Sequence, residues 1–221
     1  MPQPWGTNMS TDLLIQRLSR EPLKAHAIPF WLRLVGSVLL GGLLSFFMMQ
    51  LALGIQADLL QLMTRPEFWL KFTFALTLCL VGAVITVKAA KPGKTNSKYV
   101  LWVGSPVIAI WLIAVWSALQ PSAHSIPELL EGSTWRVCSL LIASLSIPIF
   151  IAMFWSLQSM APTRPRFSGF MAGLFSGGLA ACIYCLHCPE LSPVFVGIWY
   201  LLGILISAAV GALLGKSCLK W

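Results

Sequence analysis

Charged residues are scarce in this 221-residue chain. Asp, Glu, Lys and Arg make up only 10% of it, whereas 57% is hydrophobic and the mean hydropathy is +0.81. A typical soluble domain carries about 25% charged residues. The composition therefore excludes a soluble globular domain and indicates an integral membrane protein with a lipid bilayer as its solvent.

Six apolar runs follow one another along the chain, separated by short segments rich in turn formers and charges. A helix that spans a bilayer needs about 20 mostly apolar residues. We predict an all-α, polytopic fold: a bundle of six transmembrane helices over residues 31–221, preceded by an arm of residues 1–30. The runs extend from Trp31 to Leu53, Phe68 to Ala90, Tyr99 to Leu119, Val137 to Leu157, Phe167 to His187 and Val194 to Leu214.

None of the runs has a charged residue near its centre. Arg33, Lys71, Lys88 and Arg136 fall at predicted ends, where long side chains can extend to the membrane surface. Transporters and proton pumps usually place ionisable groups at depth. The sequence therefore disfavours transport.

Basic residues predict the orientation, because Lys and Arg accumulate in cytoplasmic loops. With the N-terminus in the cytoplasm, all of the 15 Lys and Arg except Arg65, Lys71 and Arg136 lie on the cytoplasmic side. Both termini are then cytoplasmic. The net charge of +8 follows from this topology and requires no nucleic-acid partner.

The cysteines are concentrated where the fifth run ends. Cys182, Cys185 and Cys188 lie there with His187, and Cys138 begins the fourth run at the same outer boundary. Thiols outside the cytoplasm can be oxidised to a disulfide or capture a soft metal. Cys138 and Cys188 are the candidate functional thiols, and the candidate metal ligands are Cys138, Cys188 and His187.

Packing is the competing interpretation for each cysteine, because a free Cys is often a small buried apolar residue. We favour packing for Cys79, Cys182, Cys185 and Cys218, and function for Cys188, which lies at the water boundary. The spacing is not a zinc-site signature.

Glycines recur at every fourth residue in the last two runs. Gly169, Gly173 and Gly177 form one series, and Gly211 and Gly215 form another. Small residues at this spacing allow helices to approach closely in membranes. We predict a packing role for them.

The N-terminal arm contains a short amphipathic pattern. Ser10 can cap a helix in which Leu14 and Leu18 form an apolar stripe, extended by Leu13 or Ile15. Such a short helix is marginal alone in water. From the residues alone, docking on a partner is as well supported as a disordered tail or a helix on the membrane surface.

The run His187-Cys188-Pro189-Glu190, followed by Trp199-Tyr200, resembles the signature of the NrsF-type membrane anti-sigma factors. The similarity extends to Cys138 and, more weakly, to the Thr11-Asp12-Leu13 opening of the arm. Six spans and a cytoplasmic arm match the layout of that family over nearly the whole chain.

The resemblance implies a regulator in the bacterial inner membrane that sequesters an extracytoplasmic-function sigma factor and releases it under oxidative or heavy-metal stress. It implies that Cys138 and Cys188 are the sensing residues, with His187 beside them, and that heavy-metal ions are transient partners. It implies no enzymatic activity, no cofactor and no direct contact with nucleic acid. The arm residues expected to bind the sigma factor are Leu13, Leu14, Ile15, Arg17 and Leu18.

Two other classes of protein stay open. A membrane thiol oxidoreductase would use the four sulfurs of Cys138, Cys182, Cys185 and Cys188. Against it, Cys182 is predicted to lie within the membrane, and nothing resembles a quinone site. A metal or solute transporter is a weaker alternative because the spans are uncharged at their centres.

Overall fold

The structure is a computed structural model, and it describes Gln16, Leu130, Gly132, Pro162 and the ranges 30–89, 98–120, 134–160 and 164–219. All regular structure in these parts of the chain is helical. The helices are α1 Phe30–Ala52, α2 Leu59–Met63, α3 Pro66–Ala89, α4 Lys98–Ala118, α5 Trp135–Gln158, α6 Pro165–Tyr184 and α7 Pro193–Cys218.

Every helix except α2 is long and apolar enough to cross a membrane, as judged by length and composition. The all-α fold and the six predicted runs are therefore confirmed. The fifth predicted run forms α6, which ends at Tyr184 and not at the predicted His187, because Leu186 N–H and His187 N–H bond back three residues, to the carbonyls of Ile183 (3.1 Å) and Tyr184 (3.0 Å). Pro189 follows this turn, as expected of a residue that does not continue a helix.

Helix α6 lies in the centre of the bundle and is the most buried of the six long helices. It packs mainly against α7 and α3, while α1 packs mainly against α5. The predicted glycine packing is confirmed: a Cβ on Gly169 would collide with the carbonyl of Gly211, and one on Gly173 with that of Ser207. A Cβ on Gly178 would lie 2.7 Å from the backbone nitrogen of Cys79 in α3.

Serine side chains join helices across the bundle. The Ser37 and Ser156 hydroxyls are 2.5 Å apart between α1 and α5, and Ser45 Oγ donates to the Leu145 carbonyl at 2.7 Å. Ser146 and Ser207 form a similar pair between α5 and α7 at 2.8 Å. In an apolar bundle such bonds specify which helices are neighbours.

Helix α7 has a π-helical turn at Val196–Tyr200. Ser139 Oγ of α5 donates a 2.8 Å bond to the Trp199 carbonyl in this turn. Trp199 Nε1 donates to the Leu130 carbonyl at 2.8 Å. Single π turns are frequent at functional sites, and this one ends at Tyr200, which is buried at the site described next.

Candidate functional site

The structure brings Cys138 and Cys188 together at one end of the bundle. Cys138 lies in the first turn of α5, and Cys188 lies in the segment between α6 and α7. Both side chains are fully buried, and the Cys138 thiol donates a hydrogen bond to the Cys188 sulfur. Both cysteines are free thiols in this structure. The two free thiols are therefore hydrogen-bonded neighbours.

Polar side chains from three helix ends surround this thiol pair. Thr134 Oγ1, just before α5, is 3.8 Å from the Cys188 sulfur. The rings of Tyr184 and Tyr200 are 5.8 Å apart, and both side chains are fully buried. Neither tyrosine hydroxyl reaches a partner in good hydrogen-bond geometry among the described residues, although both interact electrostatically with the thiols. Buried polar groups of this kind are uncommon away from functional sites.

Lys71 of α3 corrects a prediction. It was expected to extend to the membrane surface, but its side chain is 0% exposed. It lies on the face of α3 that packs into the bundle, so its ammonium donates inward, to the carbonyls of Cys188 (2.8 Å) and Glu190 (3.1 Å). The Phe68 and Tyr200 rings lie 5.6 and 5.8 Å from Nζ. The Lys71 ammonium is therefore bonded by carbonyls of the loop that follows α6, and not by groups at the membrane surface.

The electrostatic environment favours a thiolate at Cys188. The hydrogen bond from Cys138 lowers the pKa of Cys188, and the Lys71 ammonium lowers it further, against the opposing effect of burial. Burial raises the pKa of the neighbouring Cys185 thiol to about 12. Because the thiolate is the reactive form of cysteine, Cys188 is the reactive sulfur of this group.

His187 faces the loop after α1. Its Nδ1 lies 3.0 Å from the Gly54 carbonyl and therefore carries the proton that it donates, while its ring lies 5.7 Å from that of Tyr184. Gln56 N–H donates to the Leu186 carbonyl at 3.1 Å beside it. His187 thus ties the α1–α2 loop to the segment that carries Cys188.

Glu190 packs over the turn that precedes α5. Gly132 has a φ of +41°, and a Cβ added to it would lie 2.8 Å from the carboxyl carbon of Glu190. A side chain at this position would meet both a strained backbone and the carboxylate. The close approach holds the Cys188 loop against the start of α5.

Cys79, Cys182 and Cys218 lie apart from the thiol pair. Cys79 and Cys182 are buried between α3 and α6, as expected for packing. Cys218 is exposed near the end of α7, so the prediction that it serves as a packing residue is wrong. Within the described residues no three His, Cys, Asp or Glu side chains form a group suited to a metal ion. Of the arm, only Gln16 and Phe30 are described, so Leu13, Leu14, Ile15, Arg17 and Leu18 lie outside the described residues.

Sequence reasoning missed Lys71, Tyr184 and Tyr200 as members of this site. A signal for Lys71 was present: Phe68, Lys71 and Ala75 are spaced i, i+3 and i+7, along the apolar face of α3. Tyr200 was quoted as part of the motif, but its role needs the fold. The bundle alone brings side chains more than a hundred residues apart into contact.

These features define a class of protein: a bundle of six helices of membrane-crossing length that encloses a reduced thiol pair at one end. The family model described as "Negative regulator of sigma F" (NrsF) matches residues 18–221. The chain belongs to the NrsF family.

Two relatives support this assignment. The chain is 43% identical over 169 residues to "Probable anti-sigma-F factor NrsF" of Azospira oryzae, covering 76% of this chain and 79% of that one. It is 35% identical over 218 residues to "Anti-sigma-F factor NrsF" of Caulobacter vibrioides, covering 96% and 100%. No solved structure matches the chain.

Proposed function

We propose that this protein is an anti-sigma factor of the bacterial inner membrane that holds an extracytoplasmic-function sigma factor through its N-terminal arm. Oxidation of the Cys138–Cys188 pair releases the sigma factor, and heavy-metal ions are a second trigger. The protein acts as a regulator and turns over no thiol substrate. The observation that carries the proposal is the contact between two reduced thiols from separate parts of a bundle that belongs to this family.

Oxidation would change the site in a defined way. Two thiols lose two electrons and two protons to an oxidant when a disulfide forms, and the sulfurs move to about 2.05 Å from each other. The Cys188 loop is also held by Lys71 and His187, so a shift of Cys188 toward α5 affects the contacts of α3 and of the α1–α2 loop. One covalent bond can therefore repack several helices.

The proposed partner surface is the apolar stripe of Leu14 and Leu18, extended by Leu13 and Ile15, with Arg17 beside it. A helix of this type binds by placing its apolar side in a groove of the partner. Release requires two bundle states that differ in affinity for the sigma factor. To reverse a 99:1 preference, oxidation must bias these states by about 5.5 kcal/mol.

The test is capture of the sigma factor encoded beside the gene by the full-length protein in detergent. The wild type should retain the sigma factor in stoichiometric amount, and Leu14→Asp with Leu18→Asp should abolish retention. Gln16→Asp is the control: it adds a single negative charge in the same segment, at a position that is exposed, and should retain the partner. Failure of the wild type to bind would contradict the proposal.

The same assay tests the trigger. Cys138→Ser and Cys188→Ser should each capture the sigma factor as the wild type does but fail to release it on treatment with dichromate or cadmium. Cys182→Ser, a buried thiol away from the pair, should release it normally. Release from the two site variants at the wild-type rate would exclude Cys138 and Cys188 as the sensing residues.

A further inference from the structure

Lys71 occupies an unusual position for a charged side chain at the end of an apolar helix. Its side chain is completely enclosed, in the second turn of α3. A buried ammonium costs several kcal/mol unless strong acceptors surround it. An ammonium at this position therefore lowers the stability of the fold, and Leu or Met would fill a simple packing role better.

The partners of Lys71 explain what the charge does there. Nζ donates to the carbonyls of Cys188 and Glu190, which lie on either side of Pro189. Pro189 has no N–H with which to fix this segment. The two bonds join α3 to the loop that carries Cys188, and they hold that loop opposite Cys138 at the start of α5.

The same geometry places a positive charge beside the thiols. The Lys71 ammonium interacts electrostatically with the sulfurs of Cys138, Cys185 and Cys188. A full positive charge in a site of low dielectric acts far more strongly than in water. Lys71 thus both locates Cys188 and favours its reactive form.

We propose that Lys71 is the positioning residue of the thiol pair: by bonding the carbonyls of Cys188 and Glu190 it holds Cys188 against Cys138 and sets the rate at which the two become a disulfide. The inference rests on the proposed redox function of this pair and assigns a residue on a third helix to it.

The reaction balances with a peroxide as oxidant. The Cys188 thiolate attacks the O–O bond, giving a sulfenic acid on Cys188 and an alkoxide or hydroxide as leaving group. The Cys138 thiol then attacks this sulfur, the S–O bond breaks, and one water leaves with the thiol proton. Lys71 touches neither oxygen nor leaving group; it holds the first sulfur in place and stabilises its anion.

The experiment measures disulfide formation in the full-length protein in lipid nanodiscs. Hydrogen peroxide is added, samples are quenched with acid at intervals, and free thiols are counted after denaturation, with the Cys138–Cys188 link identified by mass spectrometry. Lys71→Met should slow the reaction at pH 7 by about tenfold or more, because it removes both bonds that hold the Cys188 loop opposite Cys138 as well as the charge that favours the thiolate. Lys71→Arg should restore the rate to within about threefold, because it keeps both the charge and two donors.

Lys88→Met is the matched control. It removes an ammonium from the other end of the same helix, where Lys88 packs over the Tyr99 and Trp102 rings, and should leave the rate unchanged. Capture of the sigma factor by each reduced variant shows whether its bundle is intact. A folded Lys71→Met protein that oxidises at the wild-type rate would overturn the assignment.

If Lys71→Met does not fold, Lys71→Gln takes its place: the amide keeps an N–H donor in the buried site but removes the charge. A folded Lys71→Gln protein should form the disulfide at least about threefold more slowly than the wild type, and an unchanged rate overturns the proposal.

Loss of sigma capture and loss of the rate effect are separate results. If the wild type fails to bind the sigma factor but Lys71→Met still slows disulfide formation, the partner is wrong and the positioning role stands. If capture succeeds and Lys71→Met has no effect on the rate, the sigma factor is the partner and Lys71 is not the positioning residue.

Discussion

Cys188 is subject to opposing forces within a single residue. Burial in an apolar bundle penalises its charged form, whereas the Cys138 thiol and the Lys71 ammonium stabilise it. The stabilising contacts prevail and lower the pKa of Cys188 from 9.0 to about 6. The folded protein therefore binds fewer protons at this position than the unfolded chain at neutral pH.

This difference predicts a pH-dependent stability. Because the unfolded state binds the extra proton, the free energy of unfolding should rise between about pH 6 and pH 8, by at most about 1.4 kcal/mol per pH unit. The contribution is complete above the unfolded pKa and disappears as the pH falls through the folded one. Thermal unfolding of the reduced protein in detergent measures it.

Cys188→Ser removes the titrating group and should flatten the curve over this range, whereas Cys182→Ser should leave its slope unchanged. An equal slope in wild type and Cys188→Ser would show that Cys188 is not ionised in the folded protein.

At this scale the sequence supplied the identity of the two thiols but not their surroundings. Cys138 and Cys188 stand out through the motif and the shared membrane boundary. Lys71 does not stand out in the sequence, because a charged residue near the end of an apolar run can point outward or inward. Only the packing of α3 determines which of the two directions its side chain takes. Cys185 was assigned to packing, and it is buried beside the pair.

At the level of helices, α6 and α7 pack closely because the glycines at their contact have no side chains. A Cβ on Gly173 would meet the Ser207 carbonyl and would lie 2.7 Å from the Cα of Ala208, both of them backbone atoms that cannot move aside. We expect Gly173→Ala to destabilise the bundle by about 1–3 kcal/mol, the usual cost of overpacking. Thermal unfolding in detergent measures this loss.

Gly104→Ala in α4 is the control for this prediction. A Cβ there has no neighbour within 4 Å. Its stability should stay the same or rise slightly, because alanine restricts the unfolded chain more than glycine does. Equal effects of the two substitutions would argue against backbone contact at Gly173.

The six long helices could be predicted from the sequence because each apolar run has the length of a membrane crossing. Their neighbours could be predicted only where glycines repeat, as in α6 and α7. The π turn at Val196–Tyr200 could not be predicted, because α7 is apolar on every side and its pattern does not fix the phase of the helix. Such a turn can be recognised only in the folded structure, where Ser139 donates to the Trp199 carbonyl and Tyr200 is buried.

For the whole molecule, the distribution of Lys and Arg predicts that both chain ends face the cytoplasm, and six crossings place the two ends on the same side. Alkaline phosphatase fused after residue 221 should be inactive, and green fluorescent protein at the same point should fluoresce. Alkaline phosphatase fused after residue 123, between α4 and α5, should be active, because that loop is predicted to face outward. The opposite pattern would place the thiol pair on the cytoplasmic side.

The burial of α6 has a consequence for biogenesis. Its mean hydropathy of 1.4 is the lowest of the six helices of membrane-crossing length, and 78% of its most apolar 18-residue stretch is buried inside the protein. In a bilayer such a helix gains little from lipid and depends on protein contacts. Its main neighbour, α7, follows it in the chain, so α6 cannot bury this surface until α7 has also been synthesised and inserted.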